Sequence, residues 1–148
     1  MTKTTYSITP HVGAKPLLLG MSPSDVESVL GQARMKSRTF QKELTYDYEF
    51  LNVGFDKADR VCHIGFVPGS CVEYDGLSVW TKEAFNWLCI LDGSPKEVVG
   101  FVVLLSLGLA FTGFHDGDES QKAVSLFAGG RYDDLKPKMR DFVLNAAQ

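Results

Sequence analysis

The chain has 148 residues, 45% of them hydrophobic and 22% charged, with a formal net charge of −3. That size and balance fit one folded domain with a real core, exclude extensive disorder, and argue against a general nucleic-acid binder, which carries surplus Lys and Arg to displace counterions. The charge is uneven: residues 1–70 hold 8 basic and 7 acidic side chains and residues 71–148 hold 7 and 11, so the second half favours a basic partner.

Tyr6 to Thr9 reads as an extended lead-in that ends at Pro10, and Gly13 and Pro16 punctuate the approach to Leu17-Leu18-Leu19-Gly20. The first helix opens at Ser22, a capping residue, with Pro23 in the first turn, where its missing N–H goes unused, and Asp25 facing the positive helix end; Gly31 supplies the stop. Arg34-Met35-Lys36-Ser37-Arg38, the basic cluster, reads as a charged connection between helix and strand or as a contact for phosphate or an acidic partner. From Glu43 to Phe66 apolar residues alternate, predicting two or three short antiparallel strands with Asp56 to Asp59 as a hairpin turn. Pro68-Gly69-Ser70 breaks the chain and marks the boundary between a first unit, 1–70, and a second, 71–148.

The second unit passes through Val72-Glu73-Tyr74 and Gly76 into a helix starting at Val79 or Lys82, capped by Ser78 or Thr81, and halted by Asp92-Gly93-Ser94-Pro95. Val98 to Phe114 predicts one long bent strand or two short ones, bending at Gly100 and Gly108, and Lys122 to Phe127 returns. Tyr132-Asp133-Asp134-Leu135-Lys136-Pro137 opens a C-terminal helix whose Leu135, Met139, Phe142, Val143 and Ala146 share one face and dock on the sheet.

The two units echo each other at a spacing of about 56 residues. Gly20-Met21-Ser22 corresponds to Gly76-Leu77-Ser78, the alternation Leu51, Val53, Phe55 to Leu107, Leu109, Phe111, and the return strand with Cys62 and Ile64 to that with Val124 and Leu126. The expected fold is therefore α+β, two related helix-plus-antiparallel β-meander units forming one compact two-lobed domain with a C-terminal helix.

The chemistry-bearing residues are sparse. No phosphate-binding glycine loop, zinc-protease helix motif or nucleophile elbow occurs, and His11, His63 and His115 lack zinc-site spacings, so neither a metal nor a cofactor is expected. His63 and Cys62 are strand neighbours that point to opposite faces and cannot act as base and nucleophile together. The segment Phe114-His115-Asp116-Gly117-Asp118-Glu119-Ser120-Gln121, where the units differ most, reads as a solvated acidic turn, as a carboxylate pair for a cation or acid–base work with His115, or as a docking loop for a basic partner. Tyr132-Asp133-Asp134 offers a second aromatic with carboxylates, which a helix start also explains. Trp80 and Trp87 are candidate interface anchors; helical spacing assigns Trp87 to the core and leaves Trp80 as the better exposed one. Cys62, Cys71 and Cys89 cannot all pair and fit reduced thiols in a cytosol. The opening Met1 to Tyr6 lacks the apolar stretch of a secretory signal, and the longest apolar run, Val98 to Phe111, has 14 residues broken by two glycines and a serine, too short to span a bilayer as a helix. A cytoplasmic, membrane-free protein is the expectation.

Leu19-Gly20-Met21-Ser22-Pro23-Ser24-Asp25-Val26, with Val29-Leu30-Gly31, Leu51-Asn52-Val53-Gly54-Phe55-Asp56 and Arg60-Val61, resembles the helix-then-hairpin pattern of BamE-like small domains. A weaker second copy, from Gly76-Leu77-Ser78 to Ser106-Leu107-Gly108-Leu109-Ala110-Phe111, makes the whole look like cytosolic immunity proteins encoded beside contact-dependent, Rhs or type VI secreted toxins. Membrane-anchored lipoproteins of the same general fold carry a lipidated cysteine near the start, and no cysteine precedes Cys62 here. What the resemblance implies is a non-enzymatic inhibitor that binds a cognate toxin domain, commonly over its active site, with no catalytic residue to carry over.

The expected contact residues are Asp116, Asp118, Glu119, Tyr132, Asp133 and Asp134, with Trp80 as an apolar anchor. The rival expectation is a small-ligand-binding or regulatory module with a pocket between the lobes lined by Tyr46, Tyr48 and Phe101. A small hydrolase using His115 with Asp116 would need a third positioned group that the sequence does not offer.

Overall fold

A computed structural model describes residues 4–114 and 117–144. Among the described residues, fourteen strands, two α-helices and two 3-10 turns make an α+β fold of two antiparallel-rich sheets. In the first unit β1 (Thr5–Thr9), β2 (Gly13–Lys15) and β3 (Leu17–Leu18) precede α1 (Pro23–Leu30), which is followed by a meander of β4 (Met35–Arg38), β5 (Leu44–Asp47), β6 (Leu51–Phe55) and β7 (Val61–Phe66). The second has β8 (Cys71–Tyr74), β9 (Leu77–Ser78), α2 (Lys82–Asp92) and a meander of β10 (Lys96–Val98), β11 (Phe101–Leu104), β12 (Leu109–Thr112) and β13 (Ala123–Phe127), then β14 (Arg140–Asp141).

The helix starts are local chemistry. Ser22 Oγ accepts from the Asp25 N–H while Asp25 Oδ2 accepts from the Ser22 N–H, a complete capping box with Pro23 at the first position. The start of α2 is settled in favour of Thr81, whose Oγ1 accepts from the Ala84 N–H at 3.1 Å, and Gly93 ends the helix in the left-handed conformation. Ser78 belongs to β9, so the second copy inserts residues between its Gly-Leu-Ser and its helix.

The units join in both sheets. The larger sheet runs β14-β10-β11-β12-β13-β7-β6-β5-β4, with the meanders meeting where β13 pairs antiparallel with β7. The smaller runs β3-β2-β1-β8-β9, and β1 pairs parallel with β8. Register follows apolar alternation: Tyr46, Val53, Ile64, Leu126, Leu109 and Leu104 are successive cross-strand partners on six strands. Leu51, Phe66, Val124, Phe111 and Val102 form a second such row. A one-residue slip at β7·β13 would turn both rows to the other face, so the core fixes how the units meet. That core also takes Tyr6, Ile8 and Val72 from the smaller sheet, Val26 from α1 and Phe85 and Leu88 from α2.

Three segments differ from the sequence reading. Tyr6 to Thr9 lies in the middle of the smaller sheet rather than leading into the fold, with Tyr6 and Ile8 buried. The basic cluster forms β4, an edge strand with all four residues exposed; Lys36 pairs with Glu27 and Arg38 with Asp59, so the charges blunt an open sheet edge. The helix near the C terminus is a 3-10 helix, Asp133–Lys138, which holds Leu135 but ends before Met139, Phe142 and Val143; Ala146 lies outside the described residues. Pro137 cannot donate a helical hydrogen bond and disfavours the α conformation at Lys136. The chain straightens into β14 on the edge of β10, where Lys96 pairs with Asp141 and Arg140 with Glu97. Leu135 and Met139 pack on the outer face with Phe127 and Tyr132, while Phe142 reaches the main core.

Candidate interaction surface

At the end of the larger sheet where β5 turns into β6, β7 runs out and β12 gives way to β13, aromatic and acidic side chains collect. Trp80 is half-buried; its Nε1–H donates to the Ser70 carbonyl at 2.8 Å and its ring stacks on Phe114, with centroids 6.3 Å apart. Phe114 stacks in turn on Phe85 of α2. The acidic loop closes against this stack because Gly113, at φ +79°, lets the backbone fold tightly: a Cβ there would lie 2.5 Å from the Asp118 carbonyl oxygen and 2.6 Å from the Lys122 nitrogen.

Asp118 and Glu119 are exposed on this loop. Asp118 caps a 3-10 turn, Glu119–Gln121, its Oδ1 accepting from the Ser120 N–H and Oγ–H. Glu119 faces Lys122 at 3.4 Å, whose ammonium lies 4.7 Å from the Phe114 ring centre, and the Lys82 ammonium donates to the Phe114 carbonyl at 2.7 Å. The loop's negative charge is thus partly compensated by two lysines tucked behind it. Asp116 and His115 lie outside the described residues.

Tyr132, Asp133 and Asp134 sit elsewhere. They follow the far end of β13, roughly 16 Å away along its five residues, and on the outer sheet face, where Tyr132 packs on Phe127 at 4.4 Å and burial raises its pKa. Asp133 is paired with Lys136 at 2.9 Å and Asp134 is exposed. The structure therefore brings Trp80, Asp118 and Glu119 together and leaves the Tyr132 to Asp134 group apart. Trp87 is half-buried and meets Tyr74 edge-on.

Tyr46, Tyr48 and Phe101 do not share a pocket. Tyr46 is buried against Phe55 with its hydroxyl on Glu27, and four strands separate β5 from Phe101 on β11. Among the described residues no three His, Cys, Asp or Glu side chains gather as a metal site, and no helix is long and apolar enough to cross a membrane. The thiols of Cys62 and Cys89 are buried, and burial pushes the Cys89 pKa up to about 12, so it is inert as a nucleophile.

Sequence reasoning missed Phe40, 99% exposed at the tip of the β4–β5 hairpin. One aromatic in a polar stretch carries no periodic signal. The tip is held from the side by Arg131, whose guanidinium contacts both Glu43 carboxylate oxygens at 3.1 Å.

His63, on the outer face, has its pKa lowered to about 4 by burial, with help from nearby Arg131. The unfolded chain therefore takes up a proton near pH 6.5 while the folded one stays neutral, so stability is full above that pH and falls as pH drops toward 4. Between pH 7 and pH 5 the expected loss is about 2 kcal/mol, measured by urea unfolding, and His63→Gln should remove it. An equal loss in both proteins would assign the acid sensitivity to other groups.

Comparison of the chain with family models, with curated proteins and with solved structures finds no match. The surface is thus described by its own geometry: an aromatic stack seated on the core with exposed carboxylates on its rim.

Proposed function

We propose that this is a non-enzymatic immunity protein that binds a cognate bacterial toxin domain in the cytoplasm and neutralises it by covering its active site. The observation that carries the reading is half-buried Trp80, backed by the buried Phe114 ring and flanked by exposed Asp118 and Glu119 at one end of the larger sheet. An apolar aromatic centre within a charged rim is the anatomy of a protein–protein contact. The resemblance of residues 17–66 to BamE-like units in immunity proteins supports the same class. A basic cleft on the toxin, of the kind that holds nucleotides or nucleic acid, would be attracted by the carboxylates and occluded by Trp80. Tyr132, Asp133 and Asp134 contribute only to a partner broad enough to reach along β13.

The test is binding of the C-terminal domain of the neighbouring secreted toxin, followed by calorimetry. Replacing Asp116, Asp118 and Glu119 by Asn, Asn and Gln is expected to weaken binding roughly tenfold or more at low salt, with the gap closing as salt rises. Unchanged binding at both salt levels would remove the acidic loop from the interface, and absence of any toxin complex would remove the immunity reading.

A further inference from the structure

A cleft of about 280 Å3 opens beside the Trp80 surface, walled by Tyr6 of β1, Val29 and Leu30 of α1, the turn Tyr48-Glu49-Phe50, and Gly69-Ser70. It is continuous with that surface through Ser70, whose carbonyl receives the Trp80 N–H. Three independent features of the cleft favour a cation. The first is its walls: three of the lining residues are aromatic, and the ring of Phe50 lies against Gly69 so closely that a Cβ there would fall 2.5 Å from it. Aromatic faces attract cations through their ring quadrupoles.

The second is the end of α1. Its last turn carries no basic residue, so the negative pole of the helix is uncompensated from within the helix. Tyr48 donates its hydroxyl to the Gly31 carbonyl at 3.0 Å, which holds the tyrosine ring in the cleft wall at that pole. The third is formal charge. Glu49 is the one ionised side chain among the lining residues and is exposed, and burial keeps the phenols of Tyr6 and Tyr48 in their neutral form. Among the described residues Glu49 forms no ion pair; Arg34 lines a separate depression beside Tyr48.

We infer that this cleft receives the side chain of one arginine from the docked protein partner. A guanidinium is flat, weakly hydrated, stacks on aromatic rings and donates to a carboxylate in a fork, matching the walls and Glu49 together. The occupant rests on the proposed function, but the site can be tested without any toxin, so the two can fail separately.

The probe is N-acetyl-argininamide, titrated into the isotope-labelled full chain and followed by amide chemical shifts, against its neutral isostere N-acetyl-citrullinamide. The expected result is saturable shifts confined to residues near 4–6, 29–31, 48–51 and 69–70, with the citrulline compound binding roughly tenfold more weakly. Glu49→Gln, an exposed substitution that should leave the melting temperature unchanged, is expected to weaken the arginine probe about fivefold or more. Equal binding of the two probes, shifts elsewhere on the surface, absence of shifts up to about 50 mM probe (a site weaker than roughly 2 kcal/mol of standard binding energy), or an unaffected Glu49→Gln protein would each overturn the inference.

Discussion

Phe85→Ala is expected to cost about 3–5 kcal/mol of stability, a large share of the 5–15 kcal/mol typical of a domain. Phe85 is fully buried and is the ring through which α2, β12, the acidic loop and the C-terminal segment meet. It lies edge-on to Phe111 at 5.2 Å, stacked on Phe114 at 5.4 Å and edge-on to Phe142 at 6.1 Å. Removing it forfeits its own burial and leaves a cavity that two ordered strands and a helix can only partly close. Because Phe114 carries Trp80, the loss should spread to the proposed contact surface: amide signals of residues 80, 114 and 117–122 should shift in the variant that remains folded at low temperature. Phe85→Leu, which keeps most of the volume, should cost about half as much or less. Urea unfolding of the three proteins measures the series; an alanine variant within about 1 kcal/mol of the parent would show that the ring cluster is not a structural hub.

Much of this architecture was legible because it is local. Ser22, Pro23 and Asp25 declare a helix start with their own side chains, and Leu51, Val53 and Phe55 declare a strand by alternation, so the first helix, the hairpin at Asp56 and both return strands follow from the sequence. Asp56 Oδ1 accepting from Ala58 and Arg60 shows how completely such a turn is encoded within five residues. What was not legible depends on partners distant in the chain. β1 looks like a lead-in until β8, 66 residues later, lies parallel to it. β4 has no buried face, and an edge strand guarded by Lys36 and Arg38 has the composition of a loop. At the C terminus apolar spacing favoured an α-helix, and a single Pro137 decided otherwise. For the candidate surface, the acidity of residues 116–119 was visible in composition, whereas the Trp80–Phe114 stack that gives the loop its apolar neighbour joins residues 34 apart. The arginine cleft draws its walls from four separate segments, none with a motif of its own.

A second large effect is expected at Asp92, a carboxylate only 8% exposed at the last position of α2. It serves as an acceptor hub for the neighbouring backbone. Oδ1 receives the N–H groups of Ser106 at 2.8 Å and Leu107 at 3.2 Å, in the turn joining β11 to β12, and Oδ2 receives the N–H of Ser94 at 3.2 Å. Ser94 belongs to the α2–β10 connection, so one side chain fastens the helix end to the meander it precedes. Asp92→Ala would strand the Ser106 and Ser94 donors, each costing about 1–3 kcal/mol when left unmade, while the Leu107 N–H keeps the Leu104 carbonyl at 3.1 Å, for a total of about 2–4 kcal/mol after partial relaxation toward water. Asp92→Asn separates the hydrogen bonds from the charge. Its carbonyl oxygen can replace Oδ1 for Ser106 and Leu107, while its amide donates where Oδ2 accepted and meets the Ser94 N–H unfavourably, so a cost of about 1–2 kcal/mol is expected. Hydrogen exchange distinguishes the mechanism from general destabilisation: Asp92→Ala should lose protection first at Ser106, with Leu107 still held by the Leu104 carbonyl, whereas Asp92→Asn should lose it first at Ser94. Uniform loss across the larger sheet in both variants would mean that the carboxylate stabilises the fold by something other than these three bonds.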